Sequence, residues 1–325
     1  MFKMEHDSVE ENGVPAEVIP GARKGRWHLV FEWKGWSAVT SVVTAFAAIF
    51  AVVVTLRSLQ VTQEGQLADR FSKSVEQIGS EKLDVRLGGI YALEVIARDS
   101  TDNYATVMEV LSAFVREHAP ASSCPPRMGT GEERKALATD IQAVITVLGR
   151  RDVRQDVESL DLQRSCLQGI RIKGANYNNA NFSNSDMRAA SIRDSSFRGA
   201  DLEDVYLSTS SVERTDFSEA NLAYAKAPWS KFTQLKFTHA KMVGVKFAGA
   251  FSLRGDDLSG ADLTVADLSA VDLEGADLTG ATLNGVVPGG GMNTAIGVTQ
   301  WPPPAADCID RENGFVPPHL RPREC

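Results

Sequence analysis

Charged side chains recur at a fixed spacing of five residues in the C-terminal half of the chain. Five lysines form the first series: Lys226, Lys231, Lys236, Lys241 and Lys246. Five aspartates follow at the same spacing: Asp257, Asp262, Asp267, Asp272 and Asp277. We call these series the lysine ladder and the aspartate ladder. Such charges can bind a partner of complementary charge, or they can pair with each other within the protein. Together the ladders are the predicted interaction surface, with internal charge pairing as the alternative interpretation.

Residue types that usually carry catalysis or bind metals show no comparable order. The histidines are dispersed over the chain: His6, His28, His118, His239 and His319. Asp201, Glu203 and Asp204 do cluster, but an exposed acidic corner explains them better than a catalytic pocket. The sequence contains no CxxC pair and no His/Cys cluster. We therefore expect no catalysis, no metal and no cofactor.

Large apolar residues share the five-residue period from Leu162 to Leu283, and we call them the centres. The series has one small member, Ala227, and a one-residue slip between Phe247 and Leu253. The residue two positions before each centre is mostly Ala or Ser, which puts both on one face of an extended strand. A strict period of five fits no α-helix, whose apolar residues recur at spacings of three and four. The pattern predicts a solenoid of stacked β coils around a narrow, filled core.

The sequence of residues 261–268, Ala-Asp-Leu-Thr-Val-Ala-Asp-Leu, resembles the pentapeptide repeat family, whose signature is A-(D/N)-L-x-x. The resemblance implies a right-handed, four-sided parallel β-helix, with one pentapeptide on each side and four in each coil. We predict this β-helix over residues 157–286 and a Gly/Pro-rich C-terminal cap or tail over residues 287–325.

A four-sided tube predicts which charged residues lie next to each other in successive coils. Each residue should stack on the residue 20 positions later, or 21 positions later where the slip is crossed. The predicted stacked pairs are Asp216 with Lys236, Lys236 with Asp257, Lys241 with Asp262, and Lys246 with Asp267. Exposed pairs of this kind contribute about 0.2–1 kcal/mol each.

An uncharged segment near the N-terminus predicts a membrane span. Residues 35–56 are rich in Val, Ala, Ile and Phe, and a helix of this length crosses a hydrocarbon core of about 30 Å. Trp33 and Trp36 lie at one end, as interfacial anchors do. We predict one transmembrane helix after a flexible N-terminal segment over residues 1–34. A cleaved signal peptide and a buried globular helix are the alternatives.

Residues 57–150 carry apolar residues at helical spacing and predict a helical juxtamembrane module. The stretch 65–94 is similar to a segment of actinobacterial membrane pentapeptide repeat proteins and resembles a HEAT-like helical pair. The resemblance implies that the module and the β-helix lie on the cytoplasmic side of the plasma membrane. Many such relatives carry two spans, whereas this chain shows one. The basic residues that flank the span are too evenly distributed to decide its orientation.

The four cysteines are scattered along the sequence: Cys124, Cys166, Cys308 and Cys325. Cys308 and Cys325 could bridge the tail in an oxidising compartment. The plainer interpretation is four unpaired thiols in a reducing compartment.

These features predict a single-pass, non-catalytic scaffold or adaptor that presents a rigid β-helical surface to an unknown protein partner, with a homodimer also possible. The net charge of −8 argues against direct nucleic-acid binding. Quinolone-resistance pentapeptide repeat proteins imitate DNA, and residues 256–286 contain seven acids and no bases. A DNA-mimicking inhibitor of an enzyme such as gyrase is therefore the first alternative. An enzyme of unknown type is the second.

Overall fold

The computed structural model describes residues 36–125, 137–247 and 251–298. Two compact units divide the chain, Met1–Thr62 and Gln63–Cys325. The predicted flexible segment 1–34, Cys308 and Cys325 lie outside the described residues.

A long helix, α1, runs from Trp36 to Ile78. Its part Val39–Ser58 is long and apolar enough to cross a membrane, judged by length and composition. Large apolar side chains in this part are exposed: Phe46 and Phe50 expose 68% and 70% of their surface. The described residues do not cover these side chains, which is unlike the core helix of a soluble protein.

Three further helices pack with the C-terminal part of α1: α2 (Leu83–Asp99), α3 (Thr101–His118) and α4 (Thr139–Gly149). Their inward faces are fully buried and include Ile90, Leu93, Val107, Leu111, Val144 and Leu148. Helix α2 approaches α1 closely at Gly89, where a Cβ atom would lie 2.8 Å from the Ser74 carbonyl oxygen. The resemblance to a HEAT-like pair stays a prediction.

The C-terminal part of the chain is a parallel β-helix. One side is formed by the parallel strands β1 (Arg171–Lys173), β2 (Ser191–Arg193), β3 (Ser211–Glu213) and β4 (Lys231–Thr233). Strands β5 (Phe251–Ser252) and β6 (Val271–Asp272) form a second parallel pair. Neighbouring strands are offset by 20 residues, so that Ile172 pairs with Ile192 and Ile192 with Val212. Parallel bridges connect the other three sides, and their offset is also 20 residues except across the slip and at the C-terminal end. Four pentapeptides therefore complete one coil.

The stacking register is the one predicted from the sequence, including the slip. Parallel bridges join Asp216 to Lys236, Lys236 to Asp257, Lys241 to Asp262, and Lys246 to Asp267. The first pair is separated by 20 residues and the other three by 21, because one extra residue lies after Phe247. Residues 248–250, where the extra residue falls, lie outside the described residues.

Stacked rings fill part of the tube. The ring centroids of Tyr177 and Phe197 are 5.3 Å apart, as are those of Phe197 and Phe217, and those of Phe217 and Phe237 are 5.5 Å apart. All four side chains are buried. Such offset stacking adds to the free energy gained from burial, and it fixes the spacing of successive coils.

Small inward residues also connect the coils. The serine hydroxyl at this position accepts a hydrogen bond from a backbone N–H one coil earlier. The acceptors and donors are Ser185 with Ser165, Ser195 with Ala175, Ser210 with Ala190, and Ser230 with Ser210. Asp256 takes this position in a later coil, where its Oδ1 accepts from the N–H of Leu235 at 3.0 Å.

Asp256 is 4% exposed, and its Oδ2 has no hydrogen-bond partner among the described residues. Burial raises the pKa of Asp256 to about 6, and backbone hydrogen bonds offset only part of this rise. Because the folded-state pKa lies above the unfolded value, this carboxyl group costs stability as the pH rises from about 4 through 6. Asp256→Ser should therefore raise the free energy of unfolding by about 1–3 kcal/mol at pH 8 and much less at pH 4. Chemical denaturation at both pH values measures the difference, and an equal effect at pH 4 and 8 would contradict the titration.

The helices cap the first coil, whose open edge would otherwise expose unpaired backbone groups. The Gln142 side chain donates to the Arg171 carbonyl at 2.8 Å and accepts from the Arg171 N–H at 2.9 Å. The Asn176 N–H donates to the Gly149 carbonyl at 2.8 Å. At the other end, Val287, Gly290 and Ile296 bridge to the preceding coil. Residues after the last centre thus continue the stack.

A disulfide joins Cys124 to Cys166. The interpretation of four unpaired thiols is wrong for these two residues. Pro120 lies antiparallel to Ser165 of the first coil, and this contact brings the two cysteines together although they are 42 residues apart in sequence.

Candidate interaction surface

Aspartates and asparagines before the centres stabilise the corners of the coil. Oδ1 of Asp262 accepts a hydrogen bond from the N–H of Thr264 at 3.0 Å, and Oδ1 of Asp277 accepts from the N–H of Thr279 at 2.9 Å. The other members of the aspartate ladder make the same bond to the residue two positions later. Asx turns of this kind favour a change of chain direction. The aspartate ladder therefore has a local structural role that the sequence analysis did not predict.

Lysine cannot accept this hydrogen bond, so the lysine ladder has a different basis. Four of its members, Lys231, Lys236, Lys241 and Lys246, are exposed. No ion pair joins any of these four to a carboxylate within the part of the chain that the structure describes. The predicted stacking is thus present, but close pairing between the ladders is not.

A longer-range effect connects the two ladders at Asp257. Burial raises the pKa of Asp257, but hydrogen bonds from Ser259 and the charge of nearby Lys236 help to offset this rise. The pKa of Asp257 therefore lies below its ordinary value. The two residues are joined by a backbone bridge, and the Lys236 ammonium acts on the Asp257 carboxylate through space, since the described residues show no ion pair between these two groups.

Lys226 is the member of the lysine ladder that pairs with other side chains of the β-helix. Its Nζ donates to the Asp204 carboxylate and, at 3.0 Å, to the Tyr206 hydroxyl. The same ammonium lies 4.5 Å from the centroid of the Tyr206 ring. Burial lowers the pKa of Lys226, but these hydrogen bonds outweigh it and the pKa is raised.

Several arginines of the β-helix pair in the same way as Lys226. Their partners lie on the same or the neighbouring coil: Arg188 with Asp186, Arg193 with Glu213, Arg214 with Asp194, and Arg254 with Glu274. The four exposed lysines differ from these residues, because their charge is available to a second molecule.

The lysines encircle one coil. Lys231 continues the side formed by β1 to β4, and Lys236 stacks on Asp216. Lys241 stacks on Asn221, and Lys246 stacks on Lys226. One flat partner can contact only neighbouring sides of a four-sided tube. The ten residues of the two ladders therefore do not form one continuous surface.

Two exposed aromatic residues mark one side of this coil. Tyr224 and Trp229 lie at its two corners, with φ of 59° and 60°, and expose 52% and 74% of their surface. Lys246 stacks on Lys226 between these corners, and Lys231 lies two residues after Trp229. We call Tyr224, Trp229, Lys231 and Lys246 the aromatic–lysine patch.

Two shallow depressions adjoin the patch. One, of about 360 Å³, is lined by Tyr224, Lys246 and the acidic corner that includes Glu203. The other, of about 600 Å³, is lined by Trp229, Lys231 and Asp272. The patch thus combines aromatic surface, positive charge and shallow depressions on one edge of the tube.

The sequence analysis missed Tyr224 and Trp229 because it followed the inward positions. The signal was present two positions after each centre. This corner position adopts positive φ in most coils and is occupied mainly by Gly or polar residues. A large aromatic residue there stays outside the core, and about half of Tyr224 and most of Trp229 are exposed.

The acidic cluster at Asp201 is held together by hydrogen bonds. Asn221 Nδ2 donates to Asp201 Oδ1 at 3.0 Å and to Glu203 Oε2 at 3.1 Å. Among the described residues, no group of three or more His, Cys, Asp or Glu side chains could hold a metal ion. The cluster is a polar network on a convex corner.

Parallel coils of four pentapeptides, with capped ends and surface chemistry on the corners, define a repeat solenoid. The family model for pentapeptide repeats matches in eight copies, at residues 165–204, 200–238 and 252–285. The β-helix of this chain is therefore built from repeats like those of the pentapeptide repeat family.

Solved structures of pentapeptide repeat proteins align with the chain. A trypsin-treated form of QnrB1, a plasmid-mediated fluoroquinolone resistance protein, is 18% identical over 42% of this chain and 74% of its own, with a TM-score of 0.26. A pentapeptide repeat protein from the Arabidopsis thaliana thylakoid lumen is 28% identical over 30% of this chain and 64% of its own, with a TM-score of 0.18. Rfr23 from the cyanobacterium Cyanothece 51142 is 18% identical over 39% of this chain and 88% of its own, with a TM-score of 0.20. A comparison with curated protein sequences found no match.

Proposed function

We propose that this protein is a membrane-anchored, non-catalytic scaffold whose β-helix binds an acidic segment of a partner protein through the aromatic–lysine patch. The observation that carries the proposal is Trp229, which is 74% exposed at a left-handed corner two residues before Lys231, a lysine that forms no ion pair among the described residues. Exposed Trp and Tyr are enriched among residues that dominate binding free energy. Unpaired lysines attract negative charge and increase association rates.

The stiffness of the β-helix supports this function. Successive coils are tied by backbone hydrogen bonds and by the stacked rings of Phe197, Phe217 and Phe237. A surface that is already ordered loses little conformational entropy when a partner binds. The patch residues are therefore held at fixed positions before binding.

Helix α1 supports the membrane anchor. Val39–Ser58 has the length and composition of a membrane span, and its large apolar side chains are exposed in the structure. In water such a surface would favour aggregation, and in a bilayer it would be solvated. We propose a single-pass protein of the plasma membrane.

The double variant Trp229→Ala/Lys231→Glu should reduce recovery of the partner at least tenfold. It removes the aromatic contact and reverses one charge, while both side chains project away from the core. The experiment is a crosslinked pull-down of the full-length protein from membranes, with the partner identified by mass spectrometry. Lys173→Glu is the matched control, because Lys173 is also exposed on the side formed by β1 to β4 but lies outside the patch.

Binding through the patch should also weaken at higher salt, since exposed charges are screened. Equal recovery with the double variant and the parent would show that the partner contacts another surface. Equal loss in Lys173→Glu would indicate a general effect of charge.

The described contacts support DNA mimicry less well. Each carboxylate of the aspartate ladder already accepts a hydrogen bond from its own corner. The lysine ladder places positive charge on all four sides of the adjacent coil. A duplex mimic presents an uninterrupted negative surface, so the scaffold is the better-supported function.

A further inference from the structure

We infer that the Cys124–Cys166 disulfide forms in an oxidising compartment and that the β-helix lies on the outer side of the membrane. The inference is independent of the proposed partner. It replaces the cytoplasmic placement predicted from sequence resemblance.

Backbone contacts place the two cysteines at bonding distance. Their Cα atoms are 5.4 Å apart, within the range of about 4.4–6.8 Å that disulfides require. The Cys166 N–H donates to the Ala119 carbonyl at 2.7 Å, and the Ala121 N–H donates to the Arg164 carbonyl at 2.7 Å. These hydrogen bonds flank the Pro120–Ser165 bridge and hold the segment that leads to Cys124 against the first coil.

The bonded segment, residues 119–125, covers part of the first coil. Arg188 extends this contact by donating to the Pro125 carbonyl at 2.8 Å, while it also pairs with Asp186 at 2.6 Å. Cys166 stacks directly against Asp186 on this side of the tube. The disulfide therefore secures a segment that covers an otherwise open edge of the β-helix.

The loop closed by the disulfide contains α4, which caps the first coil at Arg171 and Asn176. The disulfide thus secures both parts of the N-terminal cap, which are the segment 119–125 and helix α4. In a reducing compartment this bond would not persist, and the two partly buried cysteines would be held only by the backbone contacts.

Formation of the bond removes two electrons and two protons from the thiols of Cys124 and Cys166. We assign the oxidant to the class of protein disulfides that exchange with thiols, whose own disulfide is reduced to two thiols in the same step. Such oxidants act outside the cytoplasm, whereas cytoplasmic thiols are kept reduced.

The basic residues that flank the membrane span are distributed as expected for a β-helix on the outer side of the membrane. Four basic residues precede the span within a short distance, Arg23, Lys24, Arg26 and Lys34, and three follow it, Arg57, Arg70 and Lys73. This difference is too small to decide orientation alone, but it has the sign expected for an inner N-terminus. With Val39–Ser58 as the span, the β-helix then lies on the outer side.

The first measurement is the redox state of the cysteines in membranes of growing cells. Full-length protein carrying Cys308→Ser and Cys325→Ser is trapped with acid and treated with a mass-tagged maleimide under denaturing conditions. We expect no tag before reduction and two tags after it. Two tags without reduction would overturn the inference.

The second measurement is the side of the membrane. An added cysteine, Ser269→Cys on an exposed position of the β-helix, should react with a membrane-impermeant maleimide in intact cells. Ser8→Cys in the N-terminal segment is the matched control and should react only after lysis. Labelling of Ser269→Cys only after lysis would overturn the outer placement even if the disulfide is found.

Discussion

Replacing Leu268 by lysine should unfold the C-terminal coils of the β-helix. Leu268 is fully buried, and its backbone N–H donates to the Val287 carbonyl of the next coil at 2.9 Å. Loss of a buried leucine side chain alone costs about 2–5 kcal/mol. The variant also buries an ammonium group in a narrow tube without a carboxylate partner, which adds a further desolvation cost. We expect the thermal midpoint, followed by circular dichroism of the full-length protein in detergent, to fall by more than about 10 °C.

Ser269→Lys is the matched control for this prediction. Ser269 is the next residue, is exposed, and carries the same change of charge without burial. We expect it to melt close to the parent. If Leu268→Lys melted as the parent does, the assignment of the centres to the inside of the tube would be wrong.

Replacing Arg151 by methionine should separate the helical cap from the first coil. The Arg151 side chain is 1% exposed and pairs with Asp156 at 2.8 Å. It also donates to the Asn176 carbonyl at 2.6 Å, and the Tyr104 hydroxyl donates to the same Asp156 carboxylate at 2.6 Å. Methionine would leave the carboxylate without its cation and the carbonyl without its donor, at a cost of about 3–5 kcal/mol.

Burial, together with the hydrogen bond to Asp156, raises the pKa of Tyr104. The hydroxyl therefore remains protonated and keeps its role as a donor at every physiological pH.

Hydrogen exchange measured by mass spectrometry can locate the effect of Arg151→Met. We expect faster exchange in α4 and in the first coil, and little change beyond Phe237. Arg154→Met is the control, since Arg154 is exposed and its pair with Asp152 lies at the surface. Uniformly faster exchange along the whole β-helix would show that Arg151 does not act at the junction alone.

The geometry of the coils could be predicted because each pentapeptide repeats the same local pattern of residues. The period of five and the slip after Phe247 are both visible in the sequence, so the contact of Lys236 with Asp257 follows by counting. The role of the aspartates was missed because a charge pattern does not reveal that the Asp262 carboxylate accepts a hydrogen bond from the Thr264 N–H. Close pairing between the ladders was the alternative interpretation, but Lys231, Lys236, Lys241 and Lys246 form no ion pair among the described residues, and Lys226 pairs with Asp204 of the preceding coil.

The disulfide could not be predicted in the same way. Cys124 lies outside the repeat, and no period relates it to Cys166. Their contact depends on how the segment after α3 returns to the first coil, which is a tertiary arrangement. The aromatic–lysine patch is an intermediate case. Its residues occupy regular positions, but their significance depends on knowing that the corner points outward.

Because the tube has four sides, the side on which a residue lies follows from its position in the sequence. Removal of one pentapeptide before Tyr224 would turn the aromatic–lysine patch by a quarter of a revolution relative to the helical cap. Removal of four would keep it on the same side and bring it one coil, about 4.8 Å, closer to the cap. Insertions and deletions in such a chain therefore act as rotations and translations of a binding surface. The single extra residue after Phe247 is absorbed within one coil, so that the sides of the tube stay aligned across it.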